Sequence, residues 1–239
     1  MMGGWAVRRL GGWVRQAGQT ARPPDRPTAV ALAMLLAPLP LSAQDAPTVL
    51  ARAEQAYRAV TSLRAEFEQI ISNPMLGKPE RSEGTLFLVV PERFAMRFSD
   101  PAGDRIVADG EWLWAYTPST VPGQVIRQPV PQSGSATPNL FAQFVDRPLE
   151  RYEASYAGRD TVAGDPVELV TLVPHDDALG FRRATIAVSE RTGWIRRVAI
   201  VEASGQRRTL VLTTLTPNAA VPRDEVRFVV PRGVKIVSP

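Results

Sequence analysis

GTLFLVVPERFAMRFSDPAGDRIVADGEWLWAYTP, residues 84–118, sets apolar strand residues, a strand-breaking proline and a turn in an order that reads as four short antiparallel strands. The first runs from Gly84 to Val90 and stops at Pro91, whose missing N–H cannot continue a ladder. In the second, Arg93 to Ser99, Phe94, Met96 and Phe98 share one face while Arg93, Ala95 and Arg97 share the other. The third, Asp104 to Ala108, meets the fourth, Glu111 to Tyr116, at Asp109-Gly110, a dipeptide that predicts a type I′ hairpin with positive φ angles.

Outward from this stretch the pattern stays mainly β. Upstream, Pro47 suits a first helical turn, and Val49, Leu50, Ala53, Ala56, Tyr57 and Val60 recur at helical spacing, which predicts one amphipathic helix. Leu63 to Ser72 alternates, with Leu63, Ala65, Phe67 and Gln69 opposed to Arg64, Glu66, Glu68 and Ile70, the mark of a sheet with one wet face. Downstream, six further strands are expected: 152–159, 166–173, 183–189, 194–202, 207–215 and 225–229, each bounded by turn residues. Between Ser133 and Arg147 the strand pattern fails, and Leu140, Phe141, Phe144 and Val145 stand at helical spacing; the spacing fits a lid or a plain cap equally well. The expected fold class is α+β, mainly β: a single strongly curved antiparallel sheet, an open incomplete barrel, with an N-terminal helix and a short helix over an apolar cavity.

The first 43 residues hold five arginines and one acid, then the uncharged run from Thr28 to Leu41 and a Leu41-Ser42-Ala43 cleavage pattern. This order predicts a cleaved secretory signal at 1–43 and a single domain at 44–239. The alternative, a membrane anchor, asks for ~20 unbroken apolar residues, and Pro38 and Pro40 interrupt this run. Without the leader, the 28 basic and 24 acidic residues fall to 23 of each, so the basic balance belongs to the leader and nucleic acid is not an expected partner. There is no cysteine, hence no disulfide, no thiol chemistry and no lipidated cysteine, and a soluble monomer is expected.

Catalysis by histidine or thiol groups finds little material. The one histidine, His175, sits in a polar Pro-His-Asp-Asp turn that reads as surface, and Asp176 and Asp177 beside Glu168 lack the spacing of a calcium loop. No catalytic, metal or cofactor site is expected. A carboxylate pair of the glycosidase type stays open, because one sequence cannot bring two acids to a stated separation.

The apolar residues form the more telling set. A broad curled sheet either collapses or encloses a cavity, and the expected lining is Phe67, Leu86, Leu88, Phe94, Met96, Phe98, Trp112 and Trp114, with Leu140, Phe141 and Phe144 above. Either parity of the strand through Trp112 and Trp114 is compatible with the sequence. The expectation adopted points both tryptophans inward, with Leu113 the alternative partner of the N-terminal helix. An acyl chain of about sixteen carbons forfeits ~0.8 kcal/mol per methylene on leaving a bilayer, roughly 12 kcal/mol, so such a lining suits a lipid carrier.

In chain order, Pro91, Phe94, Ile106, Val107, Asp109, Gly110, Leu113, Trp114, Tyr116 and Pro118 resemble the periplasmic outer-membrane lipoprotein carriers of the LolA type. Tyr57, Ser62, Leu63, Phe67 and Gln69 resemble that family's first helix and strand, and Phe228, Pro231, Gly233 and Val234 its closing strand; the resemblance covers roughly residues 47 to 237. It implies a periplasmic chaperone, not an enzyme, that binds the acyl chains of lipoproteins and carries them from the inner to the outer membrane. The implied partners are acylated lipoproteins, an inner-membrane ABC lipoprotein-releasing transporter and an outer-membrane lipoprotein receptor. The resemblance also implies that the helix near Phe141 is a lid. One position departs: the family commonly carries a latch arginine just before the proline matched by Pro91, and here Val90 stands there. A periplasmic lipid-binding or envelope-sensing protein of the same fold, with a non-lipoprotein ligand, is the alternative.

Overall fold

Asp45 begins the described chain as a helix cap, its side chain accepting a hydrogen bond from Thr48 N at 3.0 Å. The computed structural model describes residues 45–75, 77–130, 141–176 and 179–238. The expected leader, Leu140 and Asp177 lie outside the described residues. Behind the cap, α1 (Ala46–Arg58) buries Val49, Leu50 and Ala53 of the stripe that the helical spacing predicts, and Ala46 besides, while Ala56 and Tyr57 are half-buried.

The strands among the described residues are β1 (Ser62–Ser72), β2 (Glu80–Val89), β3 (Arg93–Asp100), β4 (Arg105–Asp109), β5 (Trp112–Tyr116) and β6 (Gln124–Pro129), then two short helices, α2 (Ala142–Val145) and α3 (Pro148–Arg151). There follow β7 (Tyr152–Val162), β8 (Asp165–Pro174), β9 (Phe181–Ser189), β10 (Ile195–Glu202), β11 (Arg207–Pro217) and β12 (Lys235–Val237). All twelve form one open sheet in the order β12-β6-β5-β4-β3-β2-β1-β11-β10-β9-β8-β7. Ten of these neighbouring pairs are antiparallel, and β12 alone among them runs parallel to its partner, β6.

Three expectations need correction. Glu225 to Val229 is not a strand: Val226 and Phe228 pack sideways on the sheet without a ladder, and the closing strand is Lys235–Val237. The strand Gln124–Pro129 has no counterpart among the expected ones. The β4–β5 turn has positive φ at Gly110 alone, so it is no type I′ hairpin; Ala108 pairs with Leu113 across a four-residue loop, and the Asp109 side chain accepts from Glu111 N and Trp112 N to hold it.

Register sorts the side chains onto two faces. Leu63, Leu88, Phe94, Ala108 and Leu113 stand side by side across β1 to β5 on the inner face, with Leu86 and Met96 in the next row. Phe87, Ala95, Val107 and Trp114 form the outer row between them. Gly84 shows why one position has no side chain. It lies between Phe67 and Phe98, whose rings meet edge to face at 5.3 Å, and a Cβ there would come 2.0 Å from the Arg97 carbonyl.

Candidate functional site

The inner face is one continuous apolar core in which Phe67, Leu86, Leu88, Phe94, Met96 and Phe98 are buried together with the α1 stripe, Phe141, Phe144 and Val145. Eight of the expected lining residues therefore share a single cluster. Ring contacts extend it under the short helices: Tyr57 meets Phe141 at 5.6 Å and Trp194 at 4.8 Å, and Phe144 meets Tyr152 at 6.2 Å. Burial pushes the Tyr57 and Tyr152 phenols up, so both stay neutral at physiological pH.

Trp112 and Trp114 do not belong to this face, which corrects the expectation. Trp114 pairs with Val107, which pairs with Ala95, and all three point to the outer side. There Trp114 stacks on Phe228 at 5.2 Å, and the Arg127 guanidinium lies 4.2 Å from the Trp112 ring centre. Leu113 takes the inner position instead and packs against the core that holds α1. The physical reason is the pleat: once Phe94 faces inward, its partner Ala108 and then Leu113 must do so too.

Residues outside the expected lining complete the outer side. Val221, Val226, Phe228, Val230 and Val234 cover Phe87, Ala95, Val107 and Val125, and Arg97 pairs with Glu225 at 2.8 Å.

At the margin of the inner core lies a cleft of about 300 Å³, lined by Glu54, Tyr57, Arg58, Val60, Leu88, Val90, Ala142, Val145 and Asp146. Its floor is aliphatic and its rim charged; Arg58 pairs with Glu54 at 3.0 Å, and Arg147 beside the rim pairs with Glu150 at 3.1 Å. Val90 is 40% exposed there, so no guanidinium stands at the latch position. Arg93 is exposed on the other side of the strand from Phe94.

His175 is exposed in the turn after β8, its N–H donating to the Arg151 carbonyl at 3.0 Å. Glu168 turns from the Asp176 turn altogether: it is wholly buried on the inner face and pairs with Arg52 of α1.

The family model described as "Outer membrane lipoprotein carrier protein LolA" matches residues 58–229. An outer-membrane lipoprotein carrier protein of Methylobacillus flagellatus is 23% identical over 182 residues, covering 76% of this chain and 84% of its own length. One of Serratia proteamaculans is 26% identical over 208 residues, covering 85% and 96%. Among solved structures, an uncharacterized conserved protein of Thermus thermophilus superposes with a TM-score of 0.50 at 11% identity, covering 81% of this chain and 99% of its own, a likeness of fold alone. The family match spans well over half of the chain and takes in the inner-face strands, α2 and the covering segment as far as residue 229, and the chain belongs to the outer membrane lipoprotein carrier protein LolA family.

Proposed function

We propose that the protein is a periplasmic chaperone, exported by a cleaved signal at residues 1–43, that takes the acyl chains of lipoproteins onto the inner face of its sheet. It receives them from an inner-membrane ABC transporter, hands them to an outer-membrane receptor, and catalyses nothing itself. The observation that carries this reading is the single apolar cluster in which Leu86, Leu88, Phe94, Met96, Phe141 and Phe144 are buried under small helices. A core closed by two helical turns can exchange part of its own packing for an acyl chain at modest cost, because the displaced side chains regain apolar contacts with the ligand. The cleft at Val90 is where a chain would enter. No helix of the described residues is long and apolar enough to cross a membrane.

Val90 supports a second reading, in which the ligand is a lipid other than a lipoprotein, since the aliphatic side chain at this position makes no directed bond to a cargo or lid. Mass spectrometry of what copurifies from the periplasm separates the two.

The site itself is tested by substitution. Phe94→Asp places a carboxylate in the inner core and should abolish uptake of fluorescently labelled palmitate in protein whose circular dichroism keeps the sheet signal. Trp112→Ala, on the outer face, should leave uptake unchanged. Normal uptake by folded Phe94→Asp would refute the site.

A further inference from the structure

Glu168 is 0% exposed and stands on β8 with the same parity as Val170 and Leu172, in the inner core. One of its oxygens accepts from the Arg52 guanidinium of α1. The other, Oε1, has no hydrogen-bond partner among the described residues, and neither has Arg52 Nε. Glu168 loses its water entirely while the Arg52 side chain stays 31% exposed, and the cost of stripping water from the carboxylate offsets much of what such an incompletely bonded pair returns, so an apolar pair of similar volume would often hold the fold as well or better. What a buried pair supplies that an apolar contact lacks is a fixed position.

A second contact fixes the same part of the helix. Gly193, in the β9–β10 turn at φ +74°, lies so close to α1 that a Cβ would come 2.7 Å from the Arg52 carbonyl and 3.1 Å from Ala56 Cβ. Arg52 is thus held twice, by its side chain on β8 and by its backbone against the turn. The other flank of α1 is built differently: Tyr57 meets Phe141 ring to ring, and the Val90 cleft opens between the helix end and the four-residue α2.

Resting on the carrier reading above for its ligand, we propose that the Arg52–Glu168 pair is a clamp that holds α1 as a fixed wall, so that the inner face opens along its α2 flank alone. An acyl chain then displaces Phe141, Phe144 and Val145, while Val49, Leu50 and Ala53 keep their places and guide closure when the chain leaves.

Hydrogen exchange read by mass spectrometry on the purified protein, with and without fluorescently labelled palmitate, tests the clamp. Without ligand, Glu168→Gln should raise exchange across residues 46–58 by at least about tenfold and leave residues 141–151 nearly unchanged. With palmitate, the wild type should change exchange in 141–151 and not in 46–58, whereas the variant should change both. If the single substitution unfolds the protein, the doubly apolar Arg52→Met/Glu168→Leu protein, which leaves no lone buried charge, should fold and still lose protection of 46–58 when palmitate binds. Unchanged exchange of 46–58 in these variants, or equal response of both segments in the wild type, overturns the clamp. Failure of palmitate to bind would sink the carrier reading alone, and the unliganded comparison would still decide the clamp.

Discussion

Asp109 accepts from Glu111 N at 3.1 Å, from Trp112 N at 2.9 Å and from the Trp114 indole N–H at 2.7 Å. The dipeptide Asp109-Gly110 therefore marks a turn for a reason other than paired positive φ angles: the carboxylate builds the turn and ties it to an outer-face tryptophan. Asp109→Ala leaves three donors without this acceptor and should lower stability by about 2 kcal/mol, read by denaturant unfolding. An unchanged midpoint would mean that water replaces the carboxylate without loss. At this scale the inner set is largely legible in the sequence, because Phe94, Met96 and Phe98 alternate with Arg93 and Arg97, and the parity with the two arginines contributes only the small Ala95 to a buried cluster. The parity of Trp112 and Trp114 is not legible, since Trp112, Leu113, Trp114 and Tyr116 are apolar or aromatic on both faces and both faces are covered. The clue lies in pairing, which places Leu113 beside Ala108.

Elements with a one-sided pattern announce themselves in the sequence, and those without it do not. The α1 spacing names the buried stripe, and Asp45, directly before it, is the cap. Its hydrogen bond from Thr48 holds the Asp45 carboxyl below the ordinary 3.8. A depressed carboxyl contributes stability above that value and loses it as pH falls through the folded value. Acid below about pH 4 should therefore lower the protection of the first turn of α1, measured against the unfolded chain's exchange at the same pH. Asp45→Asn, which keeps a cap without the titration, should abolish that pH dependence. The strand β6, QVIRQP, escapes a pattern search because only Val125 is buried in it, as fits a strand flanked by the three-residue β12. Glu225 to Val229 mimics a strand because Val226 and Phe228 both turn to the sheet face while the segment, which starts in a turn closed by the Glu225 N–H on the Pro222 carbonyl, pairs with no strand. Phe228→Ala removes the ring stacked on Trp114 and should cost about 2 kcal/mol, less than a fully buried Phe, with palmitate uptake unaffected. A loss of uptake matching the loss of stability would tie the covering segment to the site.

Across the whole described unit, a single sheet carries two apolar faces with different covers. The outer one lies under the chain's own C-terminal segment, tied down by the Arg97–Glu225 pair and by β12; the inner one lies under a helix and two short turns of helix. The mainly β class and the open curved sheet follow from alternation and turn residues. The closure of the inner core by Phe141 and Phe144 depends on contacts between residues far apart in sequence, such as Phe144 with Phe181, which spacing cannot reveal. The central claim is that acyl chains bind on the inner face. It is tested most directly by photolabelling the protein with palmitate carrying a diazirine near its methyl end and mapping the labelled residues by mass spectrometry. The account predicts saturable labelling of Leu86, Leu88, Phe94, Met96 and the segment from Phe141 to Val145; saturable labelling around Trp114 and Phe228 instead would contradict it.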